Sequence, residues 1–207
     1  MEIIQRIEQW INHPGSDKVP ASLFWLCGGA GVGKSALAQT LSEKFQQKQK
    51  LGATFFFFRN EASRNNGNTL IPTLVWQLVH TFKGLGPFVE QRIHANPDLF
   101  TKQHQTQIRE LLVEPLLLKS KKPLSFLPRL LGLSKDTLES RRPWLIVIDG
   151  LDECKDKEVQ CNLLLSIADA IPRIPHPLRF LVTSRPEPHI VRMFNHDRSS
   201  GDNGRPI

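Results

Sequence analysis

Residues 28–35 read Gly28-Gly29-Ala30-Gly31-Val32-Gly33-Lys34-Ser35, and no other stretch of the chain restricts its fold as strongly. The spacing fits G-x-x-x-x-G-K-[ST]. Glycines let a backbone adopt conformations that a Cβ forbids, so successive N–H groups can turn inward and line a concave nest for anionic oxygens. The positive end of a following helix adds to that nest. In such a loop Gly28, Gly29, Ala30, Gly31, Val32 and Gly33 form the cradle, and Ala36 continues it into the helix. Lys34 places a point charge on the β- and γ-phosphates, and the Ser35 hydroxyl goes to Mg2+.

The flanks have the context this loop needs. Ser22 to Cys27 is a short apolar run that reads as a buried strand, and Leu37, Leu41 and Phe45 recur at helical spacing after it. Strand, glycine loop and helix imply an α/β domain, and 207 residues suffice for one with a sizeable core. Hydrophobic residues make up 40% and charged residues 23%, as in ordinary globular chains. The formal net charge of +7 is spread along the chain, which suits a polyphosphate ligand and does not call for nucleic acid. Cys27, Cys154 and Cys161 form no C-x-x-C pair, so neither a disulfide framework nor a zinc site is expected, and a reducing, cytoplasmic setting fits. No apolar stretch approaches the length of a membrane span, and no leader is expected at the N-terminus.

Along the chain, Ile3, Ile7, Trp10 and Ile11 mark one face of an opening helix, with residues 1–20 forming that helix and a linker. Ala53 to Phe58 predicts a second strand, ending at Arg59. Leu70, Leu74, Leu78 and Phe82 predict a helix over 69–82 that tolerates Pro72 in its first turn. A further helix is predicted over 103–113, limited by Pro115. Residues 119–142, rich in lysine, leucine and proline, read as a loop insertion holding one short helix. Residues 21–194 form the main domain, and 195–207, polar and glycine-rich, read as a disordered tail.

Trp144-Leu145-Ile146-Val147-Ile148-Asp149 is the strongest strand signal: an apolar, β-branched run that ends abruptly in a carboxylate, followed by Gly150-Leu151-Asp152-Glu153. A parallel strand that delivers an acidic residue to its C-terminal edge complements a phosphate-binding loop, and Asp149 is the candidate Mg2+ residue, acting through water. Asp152 and Glu153 are both candidates to orient or deprotonate the attacking water. Alternatively, the acidic run caps the next helix. Leu178 to Thr183 predicts a fourth strand, followed by Ser184-Arg185-Pro186. Arg185 is placed to stabilise charge on a transferring phosphoryl group, unless Ser184 caps the following helix and leaves Arg185 exposed.

Together GGAGVGKS, LIVIDGLDEC and FLVTSRPE make the chain resemble the NACHT branch of the STAND P-loop NTPases, in its fungal, NLR-like and nephrocystin-type form, over about residues 1–194. The resemblance implies a three-layer α/β P-loop fold with a mainly parallel sheet, the strand before the loop lying centrally beside the 179–183 strand and then the 144–149 strand. It further implies ATP or GTP with Mg2+, slow hydrolysis, and a nucleotide-controlled switch between closed and assembled states. Gly33, Lys34 and Ser35 then bind phosphate and metal, Asp149 binds Mg2+, Asp152 and Glu153 support hydrolysis, and Arg185 resembles the sensor arginine. Family members continue into a fifth strand, a small helical domain and a winged helix. Here 195–207 shows no strand pattern, so the last strand and lid domains are expected to be absent. Self-association or protein partners are expected through flanking domains. ATP is favoured, since no Asn-Lys-x-Asp guanine-reading motif follows the fourth strand. The rival readings are a phosphotransferase, an AAA+-like nucleic-acid ATPase and a non-catalytic interaction fragment.

Overall fold

The strand Trp144–Asp149 (β3) sets the layering. Leu145 and Val147 point to one side of it and Ile146 and Ile148 to the other, all fully buried. A strand that is apolar on both faces requires helices on both. The computed structural model describes residues 2–12, 22–121 and 143–196, and in it β3 lies inside a four-stranded, all-parallel sheet with Leu23–Cys27 (β1), Leu51–Phe56 (β2) and Leu178–Ser184 (β4). The order is β1-β4-β3-β2.

One face is covered by Glu2–Asn12 (α1) and Lys34–Gln47 (α2). Ile7 and Ile11 of α1 pack with Ala38, Leu41 and Phe45 of α2 on Leu26, Leu145, Val147 and Leu181 of the sheet. The other face carries Leu70–Thr81 (α3), Gly86–Ala95 (α4), His104–Ile108 (α5), Glu114–Lys121 (α6), Lys157–Ala170 (α7) and Pro188–His196 (α8). The larger core lies there, with Phe55, Leu78, Leu111, Ile146, Leu163, Phe180 and Ile190 among its members. This is the three-layer α/β arrangement implied by the loop.

Register brings the strand ends level. Cys27 pairs with Ser184, Ile148 with Val182, and Phe56 with Asp149. The C-terminal ends of all four strands therefore meet at one edge.

Three expectations are corrected. First, β1 stands at an edge of the described sheet, not at its centre, because β4 is the one strand that pairs with it there, although the neighbours follow in the expected order. Second, β2 runs 51–56, two residues earlier than the phenylalanine run predicts. Leu145 N–H donates to Lys50 O, which starts the ladder early, and a register irregularity between Leu51 and Ala53 takes up the slack. At the other end Phe57 N–H makes the last rung to Asp149 O, and Phe58 N–H turns away to Arg64 O. Third, Pro115 does not end the helix that begins near residue 103. A π-turn at Arg109–Val113 joins α5 to α6 and puts Pro115 second in α6. Proline lacks the helical N–H and crowds the carbonyl four residues back, and a widened turn just before it relieves that conflict.

The outer edge of β2 is closed by α3. The Gln77 amide accepts from Thr54 N–H and donates to Thr54 O, and the Thr81 hydroxyl donates to Gly52 O. The expected linker at 13–20, the part of the expected insertion at 122–142 and the part of the expected tail at 197–207 lie outside the described residues.

Candidate functional site

The glycine loop leaves β1 at Gly28, whose N–H donates to Ser184 O on β4. Gly31 and Gly33 have φ of 76° and 86°, in the left-handed region that side chains disfavour. Gly33 is the N-cap of α2 and brings no side-chain hydrogen bond to the helix start. The first N–H groups of α2, from Lys34 to Ala36, therefore receive no acceptor from the cap residue, and they lie where the helix dipole is positive. α7 differs: its N-cap Asp156 accepts from Glu158 and Val159 N–H. Ser35 and Ala36 are exposed, and Val32 is 65% exposed. Lys34 folds back over the loop, its Nζ donating to Gly28 O at 2.7 Å and Gly29 O at 2.8 Å.

The acidic half lies beyond β4. Asp149 is 3% exposed. The Thr183 hydroxyl, fully buried on β4, donates to Asp149 Oδ1 at 2.5 Å and accepts from Gly150 N–H at 3.0 Å. Gly150 turns the chain with φ 69°, and Leu151–Glu153 forms one 3-10 turn. Asp152 does not project freely. Its Oδ1 accepts from Arg185 N–H at 2.9 Å, and its Oδ2 meets Arg185 Nε at 3.2 Å. Glu153 Oε2 accepts from Arg59 N–H at 2.9 Å. The two carboxylates thus link the end of β3 to those of β4 and β2.

Ser184 does not cap α8. Its hydroxyl accepts from Trp25 Nε1 at 2.8 Å and donates to Arg185 O. Trp25 also stacks on Phe194 of α8, centroids 4.6 Å apart. Next to the acidic turn a cleft of about 400 Å3 is lined by Arg59, Asp152, Glu153, Lys157, Gln160 and His189, among others. The His189 ring contacts Gln160 Oε1 at 2.7 Å, and burial, with Lys157 nearby, holds its pKa below the ordinary histidine value. Burial raises that of Cys154, which keeps it a thiol.

The structure thus brings the glycine loop, Asp149, Asp152, Glu153 and Arg185 to one sheet edge, joined through β4. The sequence reading missed Thr183, Trp25 and Ser184 as the parts that join them. A signal existed for Thr183, since a polar residue closing an apolar strand needs a partner, but nothing in the sequence names that partner. Among the described residues no group of three or more His, Cys, Asp and Glu is poised for a metal. Ser35 and Asp149 offer oxygen ligands of the kind Mg2+ prefers, in a number that leaves most of its shell to water or phosphate.

A parallel sheet that carries a glycine loop and an acidic turn at its C-terminal edge is a P-loop-like α/β domain. The chain matches the family described as Nephrocystin 3, N-terminal, over residues 4–185, and it belongs to that family. No curated protein matches it.

Proposed function

We propose that the chain binds a Mg2+–nucleoside triphosphate, ATP in preference to GTP, hydrolyses it slowly, and uses the bound nucleotide as a signalling or assembly switch. One observation carries the reading: the uncapped start of α2 beneath two left-handed glycines, at the same sheet edge as the buried carboxylate of Asp149. The N–H groups of the loop would receive phosphate oxygens, and Lys34 would exchange the Gly28 and Gly29 carbonyls for the β- and γ-phosphates. Ser35 and Asp149 would hold Mg2+, whose charge offsets that of the phosphates.

The acidic turn supports slow chemistry. A general base needs an oxygen that can accept a proton from water. Among the described residues both oxygens of Asp152 are engaged by Arg185, whereas Glu153 has one bonded oxygen and one in reserve, so Glu153 is the better base. Arg185 in turn must leave Asp152 before it can reach a phosphoryl group. The output would pass to protein partners or further copies through flanking segments, in the cytoplasm. No helix among the described residues is long and apolar enough to cross a membrane.

The test is equilibrium binding of fluorescent ATP and GTP analogues with Mg2+, to the natural chain and to Lys34→Ala. Lys34→Ala should weaken binding about tenfold, which is ~1.4 kcal/mol. Absence of binding by the natural chain would sink the reading.

A further inference from the structure

We infer that Thr183 is a positioning residue for the metal: it fixes which oxygen of Asp149 can serve a divalent cation. The inference rests on the nucleotide reading above. Thr183 is fully buried at the end of β4, and Asp149 is 3% exposed at the end of β3. A threonine hydroxyl has one hydrogen to give. Gly150 N–H occupies an acceptor site on Oγ1 at 3.0 Å, and the hydroxyl hydrogen goes to Asp149 Oδ1 at 2.5 Å. The two bonds orient each other: with Gly150 N–H on one side of the oxygen, the hydrogen points to the carboxylate.

Oδ1 is thereby committed. Among the described residues Oδ2 has no hydrogen-bond partner, and it is not one of the polar atoms buried without one, so it is the oxygen that reaches solvent. Without the hydroxyl the carboxylate could rotate and offer either oxygen, and Gly150 N–H would compete for it. A second partner that orients a metal-binding carboxylate raises metal affinity without touching the metal. Thr183 also couples the ends of two strands, since Gly150 opens the turn that carries Asp152 and Glu153.

The experiment uses the full chain and measures the Mg2+ concentration needed for tight binding of the fluorescent ATP analogue, together with binding in EDTA. Thr183→Val keeps the shape and removes the hydroxyl, and Thr183→Ser keeps the hydroxyl. The valine variant should need roughly tenfold more Mg2+ and bind as the natural chain does in EDTA. The serine variant should restore the natural Mg2+ requirement. A folded valine variant with an unchanged requirement would overturn the role while leaving the nucleotide reading intact. So would a serine variant as impaired as valine. A natural chain that binds no analogue under either condition overturns both. If valine does not fold, Thr183→Cys, with a weaker donor of similar size, takes its place. It should need more Mg2+ than serine, and an equal need would overturn the proposal.

Discussion

The glycine loop and the acidic turn stand at the same edge of the sheet but are held there by different means. The acidic turn is held on the spot: Thr183 grips Asp149, Arg185 grips Asp152, and Arg59 N–H grips Glu153, across three strand ends. The loop has little of this. Among the described residues Lys34 bonds only to the loop's own carbonyls, and the start of α2 has no side-chain cap. Its position is set from afar, by β1 behind it and by α2, whose buried Leu41 and Phe45 pack against α1 and the sheet. A phosphate cradle made of backbone N–H groups must stay open to its ligand, whereas a carboxylate that presents one oxygen must be prevented from turning. The two kinds of support follow from those needs.

The largest test of this contrast is to cut the remote support. Ile7 is fully buried between α1 and α2, and Ile7→Ala should cost about 2–5 kcal/mol, read from the urea midpoint. Hydrogen exchange should show amides of α1 and α2 opening before those of β3 and Gly150. If the strand ends opened first, the loop would not depend on α1. The next test compares the two halves directly. Asp152→Ala removes both contacts to Arg185 and should cost about 1–2 kcal/mol, the guanidinium share being discounted because Arg185 is half exposed. Lys34→Ala should stay within about 0.5 kcal/mol of the natural stability while losing nucleotide affinity. Equal stability losses would erase the distinction.

How far the sequence foresaw this divides along the same line. Backbone-driven features were legible: glycines at left-handed positions, a β-branched run too apolar to be anything but a buried strand, and helices read from leucine spacing. Asp149 was legible because an abrupt carboxylate after Val147-Ile148 belongs at a strand end. What stayed hidden depends on partners far away in the chain. Asp152 and Glu153 look alike in sequence, and only the arrival of Arg185 and Arg59 from other strands tells them apart. Thr183 reaches Asp149 across 34 positions. The two-residue shift of β2 and the π-turn before Pro115 have the same origin: local propensity fixed the element type, and neighbours fixed its limits.

A smaller effect should follow from the bond that joins the two halves. Trp25 Nε1 donates to the buried Ser184 hydroxyl, tying β1, which leads into the loop, to β4, which carries Thr183 and leads into Arg185. Trp25→Phe keeps an aromatic ring against Phe194 and removes that donor. It should cost about 1 kcal/mol in thermal or urea unfolding. The loop half should also loosen relative to the acidic half, visible as faster exchange at Gly28 N–H, which bonds to Ser184 O, with little change at Gly150. Equal acceleration at both would mean that the two halves move as one.

The smallest effect lies at the far end of α2, where Glu8 of α1 bonds Lys44 at 2.7 Å and Lys48 at 2.9 Å. The Lys44 contact, then the Lys48 contact, lowers the Glu8 pKa below its ordinary value. A carboxylate depressed in the folded state contributes stability above its unfolded pKa and loses it as pH falls through the folded one. Both lysines are close to half exposed, so the contribution is held to about 0.5 kcal/mol at low salt. The natural chain should therefore exceed Glu8→Gln by that amount at neutral pH. The gap should close once Glu8 is protonated, below the ordinary glutamate range of about 4.3, and should shrink with added salt. Urea midpoints of both proteins at neutral pH and at about pH 3 measure it. A gap that survives acid would come from the packing of the Glu8 stem, and the electrostatic part of the remote support would then be nil. A gap that closes in acid would show that the loop, which has almost no charged contacts of its own, is steadied in part by charges at the opposite end of its helix.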